Sequence, residues 1–139
     1  LMGGCGDKEN FTDVDEDDRF YALANCGLKY DMLAVTGGKF HPYGQVSFSE
    51  AAKILVRAAV KFGIIDINCP AAGFGNFKKI PSSHWAYQYV ETLYAYGVVG
   101  AGALERGPDE KIGRGEFMLM AAKLSPCFCE NVVCTSCQF

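Results

Sequence analysis

The chain has no long apolar run, no concentration of basic residues and only two histidines, and each shortage closes off a class of function. Half of the 139 residues are hydrophobic, yet no unbroken stretch approaches the roughly 20 residues that span a bilayer. Lys53, Arg57 and Glu91 interrupt the longest helical apolar segments. A formal net charge of −3 and a pI near 5.3 argue against a nucleic-acid partner, because no basic patch emerges. His41 and His84 stand far apart in the chain, and neither a G-x-S-x-G elbow nor a paired Gly-rich phosphate loop is present. The carboxylates gather where helix starts favour negative charge. Without convergent reactive groups, the sequence points away from an enzyme and implies no cofactor.

Cysteine, by contrast, is abundant for this length. Cys5, Cys26, Cys69, Cys127, Cys129, Cys134 and Cys137 make seven, a density that suggests an oxidising compartment and disulfides. All seven are therefore disulfide candidates, and the odd count leaves one for an intermolecular bridge, a lipid or a free thiol. Four lie within the tail from Cys127 to Cys137. Their C-x-C and C-x2-C spacing could hold zinc, but it matches no established zinc ribbon or knuckle, so disulfides are preferred over a metal. The chain opens on Leu1 rather than Met, as expected of a processed product. Leu1 to Cys5 faintly resembles the end of a lipoprotein signal.

Along the chain, residues 1–10 form a Gly-rich arm. The acidic run Asp13 to Asp18 puts aspartates at the first, third and fifth positions of an EF-hand loop. The sixth position is Asp18 rather than Gly, however, and the twelfth is Ala24 rather than Glu; those departures favour helix-start acids over calcium. A helix is expected from about Asp18 to Met32, with Phe20, Leu23, Ala24, Leu28 and Cys26 facing inward. Gly27 weakens it. A turn at Thr36 to Lys39 follows, and Phe40-His41-Pro42 reads as extended. Ser47-Phe48-Ser49-Glu50 is a capping box that opens a helix from Phe48 to Phe62. Its apolar stripe is Ala51, Leu55, Ala58 and Phe62, opposite a solvated basic face of Lys53, Arg57 and Lys61, and Gly63 ends it. The connector from Ile64 to Asn76 is irregular, with one short strand expected at Ile64–Ile67. A third helix, His84 to Tyr96, is expected to be capped by Ser82 or Ser83 and stopped by Gly97. The last helix, Arg114 to Leu124, starts from Gly113 with Glu116 in its first turn, and Ser125-Pro126 closes it.

The two halves repeat. The offset is 66 residues at Phe11/Phe77, Pro42/Pro108, Val46/Ile112 and Glu50/Glu116, and 65 at Phe20/Trp85. The later copy carries His84-Trp85-Ala86, Gly97-Val98-Val99-Gly100 and Ile112-Gly113-Arg114-Gly115-Glu116-Phe117. The earlier copy carries Phe11-Thr12-Asp13-Val14, Phe40-His41-Pro42 and Val46 to Glu50. These elements resemble the S-layer homology repeat of prokaryotic surface proteins, with the first copy degenerate. The expected fold class is mainly α: two such helix-loop-helix repeats packed as a small helical bundle, with a Cys-rich C-terminal tail. The expected divisions are an arm at 1–10, repeats at 11–62 and 77–124, a connector at 63–76 and the tail at 125–139.

The resemblance implies an extracellular protein at the cell surface or in an S-layer. In the family, three repeats make a pseudo-threefold bundle that binds cell-wall polysaccharide non-covalently, often through a pyruvylated sugar. Arg114 matches the family arginine that meets the acid, whereas the first copy has Phe48 there. His84 and Trp85 are the residues that would flank the sugar, although a tryptophan on a helix's inner stripe is more often core. With two repeats, one arginine and many cysteines, the sequence favours a structural protein that assembles with copies of itself into a layer or filament stabilised by disulfides. A wall-anchoring module is the alternative. The expected partners are thus other copies of the chain and, second, cell-wall polysaccharide.

Overall fold

In a computed structural model the described residues are 11–33, 37–67 and 75–129, with side chains described as far as Leu124. The arm, Thr36, Cys69 and residues 130–139 lie outside them, as do the side chains of Cys127 and Cys129. The protein is mainly α-helical. Its helices are α1 (Tyr21–Lys29), α2 (Phe48–Lys61), α3 (Tyr87–Ala95) and α4 (Arg114–Cys129), with a 3-10 turn at Ala101–Glu105. Among the described residues there is no strand, only an isolated antiparallel bridge between Ser47 and Lys111. The short strand expected at Ile64–Ile67 is absent. Ile64 and Ile65 are buried in a helical core instead, where no second strand offers its backbone groups for pairing.

By compactness the chain divides into Leu1–Gly44 and Gln45–Phe139. In the first unit, Phe11, Val14, Tyr21 and Ala24 form a small core bordered by Phe20, Leu28 and Phe40. Helix α1 is shorter than its periodicity predicts, because Asp18 rather than the helix occupies the approach: its Oδ1 accepts from the Phe20 amide at 2.8 Å. Leu23 points outward and is 62% exposed, correcting its expected inward position. Cys26 is buried and disulfide-bonded. Gly27 has a steric reason, since a Cβ there would lie 2.4 Å from Leu33 Cδ1. His41 is not extended but left-handed, with φ of 58°. That turn directs two amides at one carboxylate: Asp13 accepts from Phe40 at 2.7 Å and from His41 at 2.8 Å.

The second unit holds the larger core, built from α2, α3, Met120 and Leu124 of α4 and the loops between them. Helix α2 has the predicted capping box, with the Ser47 hydroxyl accepting from the Glu50 amide and Glu50 accepting from the Ser47 amide. Its buried stripe is Phe48, Ala51, Ala52, Leu55, Val56 and Ala59. The stripe is therefore rotated from the expected one: Phe62 is exposed and Ala58 only half-buried, because α3 packs on the side that carries Ala52 and Val56. Helix α3 begins at Tyr87, too far along for Ser82 or Ser83 to reach its first amides. His84 Nδ1 accepts from the Ala86 amide at 3.1 Å instead. Helix α4 runs past Ser125-Pro126 to Cys129. Pro126 removes one amide donor, but that loss alone does not prevent a further turn.

The repeat is clearer in the backbone than in the residues. Helices α1 and α3 start 66 residues apart, as do α2 and α4. Their N-caps Phe20 and Ala86 keep the same interval, so the counterpart of Trp85 is Arg19, not Phe20. Both first helices close with a Schellman motif: Asp31 and Met32 donate to Leu28 and Gly27, and Gly97 and Val98 donate to Tyr94 and Leu93. The left-handed residue is Gly97 in one copy and Asp31 in the other. Thr12 donates to Gly38, and Lys78 donates to Leu104, again at one interval.

A buried carboxylate organises the entry to the second repeat. Glu91 is fully buried. It accepts from the amides of Gly75, Asn76 and Phe77 and from the Asn76 side chain, at 2.7–3.1 Å. At the same place in α1 stands Asn25, also buried.

Two predictions follow from these carboxylates. Glu91→Ala leaves the amides of Gly75, Asn76 and the buried Phe77 without their acceptor and is expected to destabilise the protein by about 2 kcal/mol, with Glu91→Gln intermediate in urea midpoint. An unchanged midpoint for Glu91→Ala would show that the loop does not depend on this carboxylate. For Asp13, the amide bonds from Phe40, then that from His41, hold its pKa below the ordinary 3.8. A depressed folded pKa means the stabilisation is present above the unfolded value and lost as pH falls through the folded one. The Phe40 and His41 amide shifts should titrate together with a midpoint below 3.8, and Asp13→Asn should abolish that titration.

Candidate functional site

The loop before α3 and the exposed side of α2 form the most distinctive surface of the second unit. Because α3 starts at Tyr87, Trp85 lies in the preceding turn rather than on the helix's inner stripe. The inner place is taken by Ala86, which is fully buried, while Trp85 is 54% exposed. The expectation that Trp85 belongs to the core is thereby corrected. Its ring lies beside His84, with centroids 5.5 Å apart and planes inclined by 31°.

The face of α2 expected to be merely solvated packs over these aromatics. Lys53 Nζ is 5.9 Å from the centre of the Trp85 ring. One turn on, the Arg57 guanidinium lies 5.7 Å from the Tyr89 ring and its Nε donates to the Tyr89 hydroxyl at 3.0 Å. Cation and ring attract through the quadrupole of the π-system. The result is a half-exposed indole with an ammonium over its ring and an imidazole alongside. Lys53 and Trp85 are 32 residues apart in the chain, so their juxtaposition left only the spacing of basic residues along α2 as a sequence signal.

Arg114, the first residue of α4, is exposed. Among the described residues it has no hydrogen bond or ion pair. The structure gives no contact between Arg114 and His84 or Trp85, so the three predicted binding residues divide into a pair and a single arginine. Nearby, Arg106 has a different role. Its Nη1 lies 2.6 Å from Glu116 Oε1 and its guanidinium is 5.2 Å from the centre of the Phe48 ring. Glu116 is thus drawn to Arg106, and the two tie the start of α4 to the start of α2.

No group of three or more metal-ligating side chains that could hold an ion is found among the described residues. No helix among them is long and apolar enough to cross a membrane.

The S-layer homology domain family matches residues 76–118, which take in Glu91's loop, the His84–Trp85 pair, α3 and the Arg114 turn. These residues are similar to an S-layer homology domain. Such a domain associates its chain with the cell surface or cell wall. No curated protein and no solved structure matches the chain. The earlier repeat lies outside the matched residues and shares with them the 66-residue register of helix starts.

Since Trp85 is the chain's single tryptophan, its emission reports this surface alone. Indole fluorescence is expected to be quenched readily by acrylamide in the folded state, and Lys53→Met to change the emission while shifting stability by less than about 1 kcal/mol. Quenching that appears only on unfolding would contradict the exposed placement.

Proposed function

We propose that the protein is an extracellular cell-surface protein whose S-layer homology domain holds cell-wall polysaccharide non-covalently through the face of Trp85. The observation that carries this reading is the exposed indole with His84 and Lys53 beside it. An aromatic face accepts the C–H face of a pyranose ring while its edges stay wet, and the Lys53 ammonium supplies a positive charge for an acidic substituent. Arg114 provides a second cationic contact at a helix start, where the backbone amides also favour an anion.

Co-sedimentation with purified cell-wall polysaccharide tests the reading. Trp85→Ala is expected to weaken binding about ten-fold or more, equivalent to ~1.4 kcal/mol, with circular dichroism unchanged. Arg114→Ala should weaken binding to acidic glycan and leave neutral glycan unaffected. Equal sedimentation of wild type and both variants would overturn the proposal.

A second reading is that the chain is a structural subunit that assembles with copies of itself, in a layer or filament reinforced by disulfides. Its supporting observation is a pair of large apolar side chains on α4, Met118 and Leu119, each 57% exposed.

A further inference from the structure

We infer that α4 of one copy of the chain receives α1 of a second copy, in the register in which α2 receives α3. The inference rests on the assembly reading. It starts from an interface that is filled. In α2, Phe48, Ser49, Ala52 and Val56 are fully buried, while Lys53 and Arg57 lie over Trp85 and Tyr89 of the loop and helix α3.

Sixty-six residues on, the same positions of α4 are Arg114, Gly115, Met118 and Ala122, and all four are exposed. Leu119 and Lys123 take the places of Lys53 and Arg57 and are exposed as well. The complementary surface is open too. Counting back from Trp85 and Tyr89 leads to Arg19 and Leu23 at α1, both exposed, with Leu23 at 62%. A filled helix pairing thus has an unfilled counterpart whose two halves are both present on the chain.

The chemistry of the counterpart is consistent with docking. Transferring the α2–α3 register sets Arg19 against Leu119 and Leu23 against Lys123. In each pair a leucine meets a long alkyl stem whose charged head can stay in water. Met118, at the position of the buried Ala52, adds apolar area at the centre. Repeats of this kind are stabilised by covering each apolar face with the next unit. Because the two surfaces differ, each copy offers one of each, and a copy bound through one surface still carries the other for a further contact. One helix pair is a small interface, so association is concentration-dependent.

Sedimentation velocity and light scattering of the full oxidised chain over a range of concentrations test this. The wild-type mass is expected to rise with concentration. Leu23→Lys, placed against Lys123, and Leu119→Lys, placed against Arg19, both at exposed positions, should each remain at monomer mass with unchanged helix content. Mixed in equal amounts, they should form a dimer and stop there, because each retains one intact surface. A wild type that stays monomeric throughout overturns the assembly reading together with this interface. A wild type that associates while both variants associate equally well overturns the interface alone, as does a mixture that fails to pair.

Discussion

The second unit depends on a short antiparallel contact between the segments that lead into α2 and α4. Ile112 donates to the Val46 carbonyl and Phe48 donates to that of Glu110, setting the two helix starts side by side. Phe48 is fully buried at this junction, under the Arg106 guanidinium that also pairs with Glu116. Few backbone bonds are involved, but the registers of both helices follow from them. Once α2 is fixed there, its Ala52–Val56 side is available to α3 and the core closes around Phe77, Ile80, Val90 and Leu93. Glu91 completes the arrangement from below the helix by gathering the amides of Gly75, Asn76 and Phe77. A carboxylate so satisfied is tolerated inside a core that an unpaired one would disrupt.

Exposure of Trp85 is a consequence of where α3 starts. His84 caps the Ala86 amide, the helix begins at Tyr87, and the small Ala86 occupies the inner position that a helix starting at His84 would have given to tryptophan. The ring is left exposed beside His84, with the Lys53 ammonium over it. In the first repeat the same turn is made by Asp18, which accepts from the Phe20 amide, and Arg19 stands at the tryptophan's place. Equivalent backbone therefore carries different surface chemistry in the two repeats. The capping is shared because any acceptor at that point will serve; the ring is not shared because nothing in the fold requires it.

Much of the architecture was legible in the residues. The Ser47–Glu50 capping box, the stops at Gly63 and Gly97 and the long-period repeat all act locally or by self-similarity, and all are present. Where the structure departs from the local pattern, tertiary contact has overridden a local rule. The α2 stripe turned toward Ala52 and Val56 because α3 packs there, and Leu23 faced outward although its spacing put it inside. His41 left the extended region because Asp13 draws its amide and that of Phe40 together. Asp31 takes a left-handed conformation that glycine adopts far more often than aspartate, so the helix end matching Gly97 carries no glycine to mark it.

By itself, the sequence determined the helices, the repeat and the kinship of residues 76–118, because capping, breaking and periodicity depend on neighbours within a few residues or on a copy elsewhere in the chain. Only the tertiary structure decided that Trp85 is open, that Lys53 belongs beside it, that Glu91 is buried among amides and that α4 keeps an uncovered face. Each of those depends on which surfaces of two elements meet, and the side chosen by α3 on α2 is set by packing across more than thirty residues of chain.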